Sequence, residues 1–219
     1  LRALGLTGDP DHLDFIRSFG RDGKLGSYAR QSERVIEDTL YKEAMGDGGL
    51  DGMELYLEYF PEGTQVEEVT LLRKKTLARM SYLRLKEAPT LEDMRAFLDA
   101  YPDTEPNADV QQMLIRSLFA SARSSIDAGQ FEEARQFLKE AAALDPRRSN
   151  DVNRLRAESH LKEGEELLKG GDEDAALTSF AEAARFPGIR GEADRRMSQI
   201  YLERGRAQLG KGLYKEGVA

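Results

Sequence analysis

The feature that most constrains this chain is a self-similarity of about 42 residues. Gly129, Ala134, Leu138, Ala141 and Pro146 recur as Gly171, Ala176, Phe180, Ala183 and Gly188, each at an offset of 42. Gly164 and Gly171 return as Gly205 and Gly212, at an offset of 41. Helical stretches stop at Phe19-Gly20, Phe60-Pro61, Tyr101-Pro102, Pro146 and Gly188, with spacings of 41, 41, 44 and 42. A period in this range belongs to chains whose units cannot bury their apolar faces alone and must stack on one another.

The clearest unit is residues 118–146, LFASARSSIDAGQFEEARQFLKEAAALDP. It reads as a helix ending near Asp127, a tight turn at Ala128-Gly129-Gln130, and a second helix stopped before Pro146. Ala122, Ala134 and Ala141 stand where two helices must touch, and Leu118, Phe131 and Leu138 fill the space between them. This hairpin resembles the tetratricopeptide repeat in its small residues at Ala122, Ala134 and Ala141, its turn glycine Gly129 and its helix-breaking Pro146. Leu118 stands where an aromatic is usual, and the period exceeds the usual ~34. Phe97-Leu98-Asp99-Ala100-Tyr101-Pro102 is similar to the helix endings of bacterial extended tetratricopeptide lipoproteins and envelope scaffolds. The resemblance implies an all-α, right-handed superhelical solenoid of antiparallel helical hairpins. It implies one array over 1–219, with repeats near 24–61, 64–102, 107–146 and 150–188 and partial ones at 1–20 and 191–219.

Composition fits long amphipathic helices: 33% of residues are charged and 8% aromatic, and no strand pattern occurs. A net charge of −8 repels a nucleic-acid backbone, so nucleic acid is not an expected partner. No apolar run reaches the ~18 to 20 residues of a membrane span, and no signal-peptide pattern opens the chain. Leu1 is not an initiator residue, which leaves room for a leader or lipid anchor ahead of it. Cysteine is absent, which excludes disulfides and thiolate metal sites.

In chain order, a turn is expected at Gly8-Asp9-Pro10, then a helix with Leu13, Phe15, Ile16 and Phe19 inward. Asp9, Asp11 and Asp14 around His12 read as helix-capping carboxylates rather than metal ligands. After a turn at 21–24, a helix covers 28–44. Asp47 to Glu58 matches an EF-hand loop at positions 1, 5, 6 and 12 but has Gly49 at position 3. In the repeat frame it is an inter-helix turn and a helix burying Met53, Tyr56, Leu57 and Phe60. Thr64 and Glu67 have capping-box spacing ahead of a helix over 66–86. Thr90 caps the next helix, whose inner face is Met94, Phe97, Leu98 and Tyr101. Helices are then expected over 151–169, 173–186 and 193–209, with further repeats or a partner covering the last apolar face.

No constellation for catalysis is legible. His12 and His160 are far apart, no nucleophile elbow or phosphate-binding loop occurs, and no cofactor or metal is implied, so the chain does not read as an enzyme. In the tetratricopeptide frame the first helix of each hairpin lines an inner groove. That frame puts Lys75, Arg79, Tyr82, Arg116, Phe119, Arg123 and Ile126 there. Domains of this family that grip peptide C-termini carry a lysine at the place of Lys75 and a basic residue at the place of Arg116. They have Asn where Arg79 stands and a polar residue where Ala120 stands. The resemblance therefore implies a protein-interaction scaffold or adaptor whose partner is a protein or an acidic or carboxylate-ended peptide. The alternatives are a structural subunit of a bacterial envelope assembly and a non-catalytic regulatory arm of a larger protein. Periplasmic or outer-membrane-associated placement is favoured over cytoplasmic.

Overall fold

The computed structural model describes residues 1–20 and 23–210. Among these the chain is all-α, and its contacts divide it into two compact units, Leu1–Ala108 and Asp109–Ala219. The sequence-expected turn at 21–24 falls partly, and Gly212 wholly, outside the described residues.

The first unit contains α1 (Arg2–Leu6), α2 (Leu13–Ser18), α3 (Gly23–Met45), α4 (Gly49–Tyr59), α5 (Val66–Glu87) and α6 (Leu91–Ala100). Helix α3 is its centre, with α1, α2 and α4 packed on it. Ala29, Ile36, Leu40 and Ala44 are buried at spacings of three to four residues or their sums, one stripe of a helix. Leu13, Ile16, Met53, Tyr56, Phe60 and Val69 complete the core. The segment with calcium-loop spacing is a close helix crossing: a Cβ on Gly52 would lie 3.2 Å from the Glu43 carbonyl. Here glycine brings α4 against the end of α3, and α4 already begins at Gly49.

Three sequence expectations change in this unit. Phe15 is exposed rather than inward, because α2 is only six residues long and turns Leu13 and Ile16 to the core. Helix α3 begins at Gly23, not at Tyr28, so Lys24 is helical. The Thr64–Glu67 capping box does not form. Instead Glu37 reaches from α3 to accept the Thr64 backbone N–H at 2.7 Å and the Tyr56 hydroxyl at 3.1 Å. The Tyr56 hydroxyl in turn accepts the Gln65 N–H at 3.2 Å. Burial, with the Glu37 carboxylate beside it, pushes the Tyr56 phenol up to about 12. Helix α6, by contrast, is capped as expected, Thr90 accepting from the Asp93 N–H at 3.0 Å.

Helix α7 (Asn107–Asp127) leads into the second unit, followed by α8 (Phe131–Leu144), α9 (Ser149–Lys169), α10 (Glu173–Ala183) and α11 (Arg190–Gly210). Short turns join α7 to α8 and α9 to α10 through Gly129 and Gly171, whose φ values of 74° and 85° are the left-handed conformation that glycine adopts at little cost. Asp145 caps a short 3-10 turn at Pro146–Arg148 that feeds α9.

The repeat shows in the packing. Ala122 and Leu138 share one core cluster with Val152 and Leu155. One repeat on, Gly164 stands against Phe180, and a Cβ on Gly164 would lie 2.6 Å from the Phe180 ring. A small residue with a medium one thus becomes a smaller residue with a larger one at the same place, keeping the volume filled. Phe180, Ala176, Ala183, Ala193 and Ile200 form the next cluster between α10 and α11. Ala134, Ala141, Ala176 and Ala183 are fully buried, as the repeat register requires.

An arginine-lined cavity as the candidate functional site

Helix α7 presents two adjoining faces. Leu118, Ala122 and Ile126 are spaced by four and are buried. Arg116, Phe119 and Arg123 are spaced by three and four on another face, the two arginines exposed and the phenylalanine half-buried. Ile126, expected in the groove, belongs to the buried stripe at 3% exposure, because four residues beyond Ala122 is the same face of the helix. It contacts the core and cannot line an open site.

Arg116, Phe119 and Arg123 do come together, in a cavity of about 250 Å³. Three residues of a neighbouring segment complete it: Arg148 from the 3-10 turn and Asp151 and Arg154 from the first turns of α9, with Ala120 as a further part of the wall. Four guanidiniums therefore face one carboxylate, within a chain of charge −8.

The local folding explains why these charges stay available. Asp145 is buried and accepts the backbone N–H of Arg147 at 3.2 Å and its Nε–H at 2.9 Å. Those bonds hold its carboxyl below the usual range, the side-chain bond from Arg147 contributing most. Arg148 is left 3.9 Å from the same carboxylate, too far for a hydrogen bond. Arg154 stands 3.6 Å from Asp151, and Arg116 spends only its Nε–H, on the Gln112 carbonyl at 3.3 Å.

No protein-family model, curated protein or solved structure matches the chain.

The remaining expected site residues lie on α5 of the first unit. Lys75 and Arg79 are exposed one turn apart, and Tyr82 is half-buried with the Lys86 ammonium 5.4 Å from its ring centre. Arg148 and Arg154 were not legible as site residues. Arg148 reads as part of an inter-hairpin link, and Arg154 as one of many charges on a polar helix. The only available signal was the density of arginine at Arg147, Arg148 and Arg154, next to a break in the repeat.

Two other polar clusters serve the fold. A cavity of about 890 Å³ in the first unit is lined by Arg17, Arg30, Arg34, Glu33 and Glu37, among others. Within it Arg17 donates to Glu33 at 2.6 Å and to the Tyr59 carbonyl at 3.1 Å, Arg30 donates to the Gly20 carbonyl at 3.3 Å, and Glu37 braces the α4–α5 loop. In the second unit, Arg135 of α8 makes a two-pronged pair with Glu163 of α9 at 2.9 and 3.3 Å. His160 sits beside them, its Nδ1 3.5 Å from Glu163 without a hydrogen bond. Burial, then the Arg135 charge, lower the His160 pKa below its ordinary value. Asp9 accepts from the Asp11 N–H at 3.0 Å, which is a capping role. Among the described residues no group of three His, Asp or Glu side chains is placed to hold a metal ion.

Proposed function

We propose that this chain is a tetratricopeptide-like superhelical scaffold that binds an acidic segment of a partner protein. The observation that carries this reading is the arginine-lined cavity on α7 and the start of α9, a concentration of positive charge on an acidic molecule. Guanidiniums meet carboxylates and other oxyanions through paired N–H donors, and these bonds strengthen as a docking partner excludes water. The helical hairpins and their buried alanines support the stacked architecture, and the apolar wall at Phe119 and Ala120 offers contact area beside the charges.

The test is co-purification of partners with the full chain and with an Arg116→Glu/Arg148→Glu variant. Arg185→Glu, on a side chain 72% exposed and outside the cavity, is the control. The double variant is expected to lose the partner while staying folded, with a small drop in melting temperature because Arg148→Glu sets a second carboxylate near the buried Asp145. Retention of every partner by the double variant would remove the cavity from the mechanism.

A second reading, a structural subunit with its surface occupied by neighbours, is favoured by α11, where Tyr201, Leu202 and Leu209 are all exposed. Mass measurement of the native assembly separates the two. Stoichiometric subunits that survive high salt favour the structural role, and partners released by salt favour the adaptor.

A further inference from the structure

We propose that the arginine-lined cavity is a receptor for a phosphomonoester on the partner's side chain, rather than for carboxylates. This rests on the partner-binding reading above and specifies the group that enters.

Size and charge lead to it together. At about 250 Å³ the cavity lies below the ~300 to 1,000 Å³ of ordinary small-molecule sites, a size that suits one head group. A single group that carries more than one negative charge then matches its arginines better than one carboxylate does. A carboxylate brings one charge and two oxygens, both of which a single guanidinium fork can engage. A phosphomonoester brings roughly −1.5 to −2 at pH 7 and three acceptor oxygens, which can engage several forks at once.

The arginines are also free to turn inward. Arg123 makes no hydrogen bond or ion pair among the described residues. Arg148 and Arg154 stand 3.9 and 3.6 Å from their own carboxylates, in contacts that a dianion would outcompete. They come from two segments, α7 and the start of α9, so donors approach the cavity from more than one side. Phe119 supplies a half-buried ring against which the carbon portion of a phosphorylated side chain can rest.

The experiment is calorimetric titration of the full chain, at fixed ionic strength, with phenyl phosphate, orthophosphate, glutarate, a serine-phosphorylated peptide and its glutamate-substituted twin. Phenyl phosphate and the phosphopeptide are expected to bind at least about tenfold more tightly than glutarate and the glutamate peptide, the order of one added charge-assisted hydrogen bond. Binding should weaken as pH falls from 7.5 to 5.5, because the second phosphate proton binds near pH ~6 while the guanidiniums stay charged. Arg123→Gln/Arg148→Gln should abolish it, Arg123→Lys should restore it only in part, and Arg185→Gln should leave it intact.

Equal or tighter binding of the carboxylate ligands at the same arginines would overturn this proposal while leaving the acidic-segment reading standing. Orthophosphate binding as tightly as the phosphopeptide would overturn the assignment to a partner's side chain. Phosphopeptide binding that ignores the arginine substitutions would overturn the cavity itself. Loss of the co-purified partner in the Arg116→Glu/Arg148→Glu variant, without any phosphate binding, would likewise sink this inference and not the proposed function.

Discussion

Gly164 illustrates how a single residue sets the distance between helices. Any Cβ there would lie within 2.6 to 3.0 Å of three atoms of the Phe180 ring, inside the van der Waals limit, and Phe180 is fully buried and cannot swing away. Gly164→Ala is therefore expected to cost about 1 to 3 kcal/mol by overpacking, more than the helix propensity it gains. Gly205, its counterpart one repeat on, meets no atom within 4 Å among the described residues, so Gly205→Ala should be neutral or stabilising. Thermal melts of the two variants check this, and equal shifts would mean that the Gly164–Phe180 contact does not limit packing. The same logic decides Ile126. Its spacing from Ala122 buries it, and a frame borrowed from a resemblance cannot override the 3.6-residue period.

At the scale of elements, the polar network of α8, α9 and α10 ties three helices together and is expected to make their packing pH-dependent. His160 faces Arg135 and Glu132 from α8, Glu163 from its own helix and Glu182 from α10. Desolvation and the Arg135 charge win over the carboxylates, so the folded state prefers the neutral imidazole. With the folded pKa below the unfolded ~6.5, His160 contributes its stability above that pH and loses it as pH falls through the lower folded value. The melting temperature of the wild-type chain should drop more between pH 7 and pH 5 than that of His160→Gln. Parallel pH profiles would mean that carboxylates elsewhere carry the whole effect. Capping shows how far local sequence reaches. Thr90 caps α6 through a bond to a residue three positions away, whereas Thr64 is claimed by Glu37, a residue 27 positions earlier.

For the whole molecule, the division at Ala108 makes a prediction of its own. Each unit has buried clusters of its own, Leu13 to Val69 in one and Ala122 to Ile200 in the other. Fragments 1–108 and 109–219 should each be soluble and helical by circular dichroism, with the arginine cavity intact in the second. A repeat array, in which each hairpin meets only its neighbours, behaves in this way. Loss of helicity in both fragments would instead mean a single cooperative core.

The sequence by itself determined most of the helices, the glycine turns at Gly129 and Gly171 and the buried alanines Ala122, Ala134, Ala141, Ala176 and Ala183. These depend on residues within a few positions of one another: the period of apolar side chains, a proline without an N–H, a glycine free to take positive φ. The resemblance to the tetratricopeptide repeat marked Arg116, Phe119 and Arg123, and the spacing of seven put Arg116 and Arg123 on one face of one helix. Only tertiary structure decided that Arg148 and Arg154 join them, that Glu37 replaces the Thr64 cap, and that Gly52 is a helix crossing. Each of those depends on which residues of another segment arrive within a few ångströms, and that is set by the packing of side chains far apart in the chain. Charge carries no periodic signature, so a cavity assembled from two segments becomes visible only when both are folded.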